Sequence, residues 1–157
     1  MLIKDFPIKV QKEDFDCGVA VLWCVLSYHG IEVSYKELRS RLKTSSLSGT
    51  SIKHFLKVCK QFNIKTKILN KKIRKLKKYI RKEIPIVCLV QSERDGKWNN
   101  TWENGHYVVI IGYADNSLYL FNPSSGNIDL ISIKFFKKIW HDMADGVVYN
   151  KLAIACF

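Results

Sequence analysis

Apolar positions from Val19 to Leu26 follow one another almost without a break, in VAVLWCVL, and the run ends at Ser27-Tyr28-His29-Gly30. It shows little strand-like alternation, and Gly30 stands where a C′ glycine would, so the pattern predicts an apolar helix from Cys17 to His29. Ser34-Tyr35-Lys36-Glu37 is a Ser-x-x-Glu capping box that opens a short helix to about Lys43. TSSLSGTS, 44–51, has the composition of a loop. Its last residues cap a helix over 52–62, with Ile52, Phe55, Leu56, Cys59 and Phe62 on one face. In KTKILNKKIRKLKKYIRKE, 65–83, Ile73, Leu76 and Ile80 recur at i, i+3 and i+7, one apolar stripe on an otherwise cationic helix.

The texture changes at Pro85. IPIVCLVQ (84–91), HYVVIIGY (106–113) and SLYLFN (117–122) read as strands, and NIDLISI (127–133) and KLAIACF (151–157) as two more. FFKKIWHDM, between those last two, reads as a short helix. Helices first and antiparallel strands second give an α+β fold, N-terminal helices packed on a C-terminal sheet, rather than a βαβ arrangement.

Composition adds limits. A chain of 157 residues is one domain, 1–157, and 47% hydrophobic with 25% charged residues is ordinary for a globular protein. MLIKDFPIKVQKEDFD has no apolar h-region or cleavage site, and VAVLWCVL is too short to cross a bilayer. Cysteines at 17, 24, 59, 88 and 156 form no C-x-x-C pair. That argues against a disulfide framework and a zinc knuckle, and for reduced thiols in a cytoplasmic compartment, although export without a cleavable signal stays open. No metal or organic cofactor is implied. The net charge is +12, and residues 65–83 hold ten basic residues and one acid. Two readings stand: lysines solvated on a docked surface helix, or a face over 65–82 for an anionic partner. Only Tyr79 interleaves with those lysines, and no nucleic-acid module is present.

Cys17 is placed oddly, where the polar QKEDFD turns into the apolar helix. A helix amino terminus favours a thiolate, so this is the electrostatic position of a nucleophile. Gly18 leaves room beside the sulfur for a substrate backbone. An oxyanion needs donors, and the Cys17 N–H with the side-chain amide of Gln11 are the candidates. A buried structural thiol is the competing reading. Among four histidines, His29 and His54 read as surface or capping residues and His141 has no obvious partner. His106 opens a strand that is apolar on both faces, and Asn122, before Pro123, closes the next strand. Asn122 would hold the imidazole through Nδ1, as the third member of a generalised triad. The alternatives are a strand-end histidine and a turn asparagine. If 106–113 and 117–122 form a hairpin, an even-length loop puts His106 and Asn122 on opposite faces, so the pair requires an odd-length loop or a bulge.

Gln11-x5-Cys17-Gly18, His106-Tyr-Val-Val-Ile-Ile-Gly and Leu-Phe-Asn122-Pro123-x-x-Gly126, in that order, resemble the bacteriocin-processing cysteine peptidases. These are papain-like domains best known at the amino terminus of ABC exporters that cleave double-glycine leader peptides. The resemblance implies Cys17 as nucleophile, His106 as general base, Asn122 as its orienting partner and Gln11 in the oxyanion hole. Asn122 stands where the family usually has Asp, and no transporter follows, which suggests a free-standing relative. SERDGKWNNTWENG, 92–105, is longer than the family's usual approach to its histidine. Trp98 and Trp102 either pin that loop to the body or, with Gly105, line a substrate cleft. The implied function is a peptidase acting through a thioester. An acyltransferase, a deamidase with the same residues, or a non-catalytic basic binding domain are the alternatives.

Overall fold

Helix α1 (Cys17–Tyr28) is apolar on every side and is accordingly enclosed, with nine of its residues from Cys17 to Leu26 buried. The computed structural model describes residues 1–69, 71–92, 98–144 and 146–157. Helices α2 (Tyr35–Leu42) and α3 (Ile52–Gln61) are each started by a serine, Ser34 Oγ accepting from Glu37 N at 3.1 Å and Ser51 Oγ from His54 N at 3.2 Å. The capping box is half made, because the Glu37 carboxylate turns to Arg41 instead of reaching back. Gly30 has φ +73°, as the helix end requires.

The sheet combines β1 (Thr66–Ile68), β2 (Ile86–Gln91), β3 (Gly105–Ala114), β4 (Ser117–Phe121), β5 (Ile128–Ser132) and β8 (Ala153–Cys156). Their order is β1-β8-β2-β3-β4-β5, antiparallel throughout. β2 is buried along its whole length and β3 along most of it, as their continuous apolar sequences demand. Helices α4 (Ile73–Ile80) and α5 (Ile133–Ile139) complete the helical set, and β6 (His141–Ala144) pairs with β7 (Val147–Asn150) as a separate hairpin. Among the described residues no helix is long and apolar enough to cross a membrane.

Two expectations are corrected. The cationic segment is not one helix: Thr66–Ile68 form an edge strand, and only Ile73–Ile80 are helical, burying Leu76 and Ile80. Pairing with β8 overrides local preference there, with Lys65 N and Phe157 N each donating to the other residue's carbonyl. The late helix stops at Ile139. Trp140 is buried, its Nε1 donating to Leu152 O at 2.8 Å, and the chain leaves it as strand β6.

Candidate active site

The β3–β4 hairpin meets the geometric condition with a bulge. Its turn is the two residues Asp115-Asn116, an even length, but Ile110 pairs with Leu120 and Gly112 with Tyr119, so Ile111 is the extra residue. Val109 then faces Phe121, which brings the next residue, Asn122, level with Val108 and onto the face of His106. The two side chains meet at 2.9 Å, Asn122 Oδ1 to His106 Nε2, and both are buried.

The ring is held through Nε2 rather than Nδ1, which corrects the expectation. Asn122 Oδ1 also accepts from Ser124 N at 3.1 Å and Ser124 Oγ at 2.8 Å. A backbone N–H only donates, so the atom at this point is the oxygen, and His106 Nε2 must carry the proton. The neutral ring keeps its basic lone pair on Nδ1. Trp98 packs beside the ring, 6.3 Å between centroids, and its Nε1 donates to Asp129 Oδ2 at 3.2 Å.

A cleft of about 860 Å³ has Gln11, Cys17, Gly105, His106 and Asp142 in its wall. Cys17, at the first residue of α1, is 8% exposed. Burial pushes its thiol up to about 11, the Asp142 charge adds to the rise, and the backbone at Tyr107 and Gly18 opposes it. Burial also lowers the imidazole of His106, against the hydrogen bond it donates to Asn122. At neutral pH the site therefore rests as thiol and neutral imidazole, not as the thiolate expected from the helix terminus alone. Among the described residues no hydrogen bond joins the Cys17 sulfur to the His106 ring. The segment before Cys17 is fixed by Asp16, which is fully buried, accepts from Tyr35 Oη at 2.7 Å and lies 3.1 Å from Arg39 Nε.

Gln11 is tethered by its own N–H to Pro123 O at 2.9 Å, next to Asn122, and its Nε2 donates to Glu13 O at 3.0 Å. Its Oε1 is buried without a partner. Gly18 serves packing rather than substrate clearance: an added Cβ would lie 2.7 Å from Thr50 Cβ. Gly105 is likewise a close approach, since a Cβ there would overlap the Asp142 carboxylate. Trp98 and Trp102 are not in the cleft wall. Trp102 is 51% exposed and lies over His141, 4.0 Å between ring centroids.

The other histidines are held elsewhere. His29 Nε2 meets Cys156 O, His54 Nδ1 meets Ser51 Oγ, and His141 has a partner after all in Asn100 Oδ1 at 3.1 Å. All five cysteines are buried. Sequence reasoning missed Asp142, having placed it on a helix. The one available signal was its acidic character in a basic stretch.

A family model, Peptidase C39, matches residues 5–145. Among curated relatives, the pediocin PA-1 transport/processing ATP-binding protein PedD of Pediococcus acidilactici is 25% identical over 135 residues, 85% of this chain. Those residues are 17% of PedD, so the chain spans about a sixth of that relative's length. The peptidase domain of Streptococcus ComA, a bifunctional ABC transporter of a quorum-sensing pathway, superposes with TM-score 0.73 at 24% identity, covering 96% of this chain and 97% of that one. A double-glycine motif protease from an AMS/PCAT transporter, solved with its leader peptide, gives 0.68 at 20% identity over 96% and 89%. Matched to that family over most of its length and sharing the fold of these peptidase domains, the chain belongs to the Peptidase C39 family and is a cysteine peptidase.

Proposed function

We propose that Cys17, His106, Asn122 and Gln11 hydrolyse a peptide bond through a thioester, within a single papain-like domain formed by residues 1–157. The observation that carries this reading is the Asn122 contact at 2.9 Å, which fixes the Nε2–H tautomer of His106 and leaves Nδ1 as the base. His106 Nδ1 takes the thiol proton as Cys17 Sγ attacks the carbonyl carbon. The Cys17 N–H and the second Nε2 hydrogen of Gln11 stabilise the oxyanion. The imidazolium then protonates the leaving amine as the C–N bond breaks. Water, deprotonated by the same nitrogen, hydrolyses the thioester and restores the thiol.

A leader peptide of the double-glycine type is the proposed substrate, because one similar fold was solved bound to such a leader. The test is cleavage of a synthetic peptide with an internal Gly-Gly, followed by mass spectrometry. Cys17→Ala and His106→Ala should abolish cleavage, and Gln11→Ala should slow it by about 10²-fold or more. Cleavage surviving Cys17→Ala would refute the assignment. Five free thiols support a reducing, cytoplasmic setting. An anionic partner on α4 is a second proposal. Leu76 and Ile80 anchor that helix, and Lys71, Lys72, Arg74, Lys78 and Lys82 are exposed. Binding to an acidic polymer at low salt, lost at high salt and indifferent to Cys17→Ala, tests it.

A further inference from the structure

Among the described residues the charge of the cleft opposes that of the molecule. The chain carries 26 basic and 14 acidic residues, yet of the described residues Glu13, Asp14, Glu103 and Asp142 line this one cleft against a single lysine, Lys12. The Lys12 ammonium is turned over the Tyr35 ring, 4.7 Å from its centroid. Three of the four acids are on the exposed rim. Asp142 is not: its residue is only 6% exposed.

Asp142 is held by one oxygen. Oδ1 accepts from Met143 N at 2.7 Å and Gln91 Nε2 at 3.2 Å, and Gln91 is itself fully buried on β2. Among the described residues Oδ2 has no hydrogen-bond donor and no ion-pair partner. Gly105 gives up its side chain to let this carboxylate lie against the strand that carries His106. Its charge reaches Cys17. Burial raises this carboxyl above its ordinary value, so a cation seated at the oxygen left without a donor among the described residues would favour its charged form.

We propose that this cleft selects peptides with a cationic residue, Lys or Arg, beside the scissile bond, and that Asp142 Oδ2 receives that cation. The inference rests on Cys17 being the nucleophile of the site. Asp142 acts here as a specificity-determining residue. The rim acids concentrate cationic peptide at the cleft, and the buried carboxylate fixes its position. Negatively charged peptides are repelled by the same groups.

The test uses methanethiosulfonate reagents of three charges: a small neutral methyl reagent, and a cationic trimethylammonioethyl reagent and an anionic sulfonatoethyl reagent of comparable bulk. Each transfers its thioalkyl group to the Cys17 thiolate and releases methanesulfinate, and site-resolved mass spectrometry reads Cys17 alone. In the wild type the cationic reagent should outpace the anionic one by about tenfold or more. Asp142→Asn, which keeps the Oδ1 acceptor, should cut that ratio at least about fivefold. The exposed pair Asp14→Asn with Glu103→Gln should give a smaller reduction in the same direction.

Protection supplies the peptide readout. Acetyl-Gly-Gly-Lys-amide should slow neutral labelling at a concentration at least about fivefold below that needed of acetyl-Gly-Gly-Gln-amide, and Asp142→Asn should erase the difference. Equal protection by the two peptides, no protection by the lysine peptide, or a charge ratio unchanged in Asp142→Asn overturns the inference. Failure of even the neutral reagent to label Cys17 instead overturns the nucleophile assignment beneath it.

Discussion

Replacing Asn122 by Asp exchanges an amide for a carboxylate at the atom that touches His106 Nε2 at 2.9 Å. The site can accept that charge, because the same oxygen already receives Ser124 N–H and Ser124 Oγ–H. Two unit charges about 4 Å apart interact by about 4 kcal/mol at an effective dielectric near 20. That corresponds to roughly three pKa units on His106, and burying the new carboxylate takes back part, leaving a rise of about one to two. His106 starts below its ordinary 6.5 because it is buried, so the substitution carries it from neutral toward protonated near pH 7. A cationic ring in the cleft then lowers the Cys17 thiol from its value of about 11. The assay is iodoacetamide alkylation of the folded protein between pH 6 and 11 with site-resolved mass spectrometry. Wild-type Cys17 should gain rate mainly above pH 9. Asn122→Asp should add a reactive limb below pH 9 that disappears in the double variant with His106→Ala. An unchanged profile in a folded Asn122→Asp protein would show that this contact does not set the charge of the imidazole. A wild-type limb already centred below pH 7 would refute the neutral resting pair.

Linkage gives the pH dependence of stability. The folded Cys17 thiol, raised from 9.0 to about 11, contributes about 3 kcal/mol that is full below pH 9 and lost as pH rises through 11. Cys17→Ser should therefore flatten part of the alkaline limb in urea titrations between pH 8 and 11. His106 has the opposite sign: its lowered folded value makes stability fall as pH drops below about 6.5, and His106→Gln should reduce that acid sensitivity. Gly18→Ala should destabilise by about 1–3 kcal/mol through its clash with Thr50 Cβ and Oγ1, read by denaturant midpoint. Gly105→Ala should cost a similar amount and also weaken the charge preference of Cys17, because it displaces the Asp142 carboxylate.

Parts of this arrangement were legible because they are written locally. Ser34 and Ser51 announce their helices, and the apolar continuity of α1, β2 and β3 announces burial. The pairing of His106 with Asn122 was legible only as a condition on register. Thr66-Lys67-Ile68 carries no strand signal of its own, since its residues stay half-buried or exposed and β8 recruits it from the far end of the chain. The β6–β7 hairpin was hidden for a related reason: Met143, Val147 and Val148 are all exposed, so no buried face imposes alternation. Which imidazole nitrogen faces Asn122 depends on the ring's orientation over the strand, and the Cys17 proton affinity depends on what encloses the sulfur. Neither has a trace in nearest-neighbour sequence.

The extra residue in β3 also shapes what the gene tolerates. Ile111 is 1% exposed and chemically exchangeable with its apolar neighbours, so an apolar substitution there should be mild. Deleting its codon would close the hairpin into an uninterrupted ladder in which Gly112 still faces Tyr119, Ile110 still faces Leu120 and Val109 still faces Phe121, so His106 and Asn122 would keep their common face. A three-nucleotide loss at this one point of the strand should thus spare the chemistry.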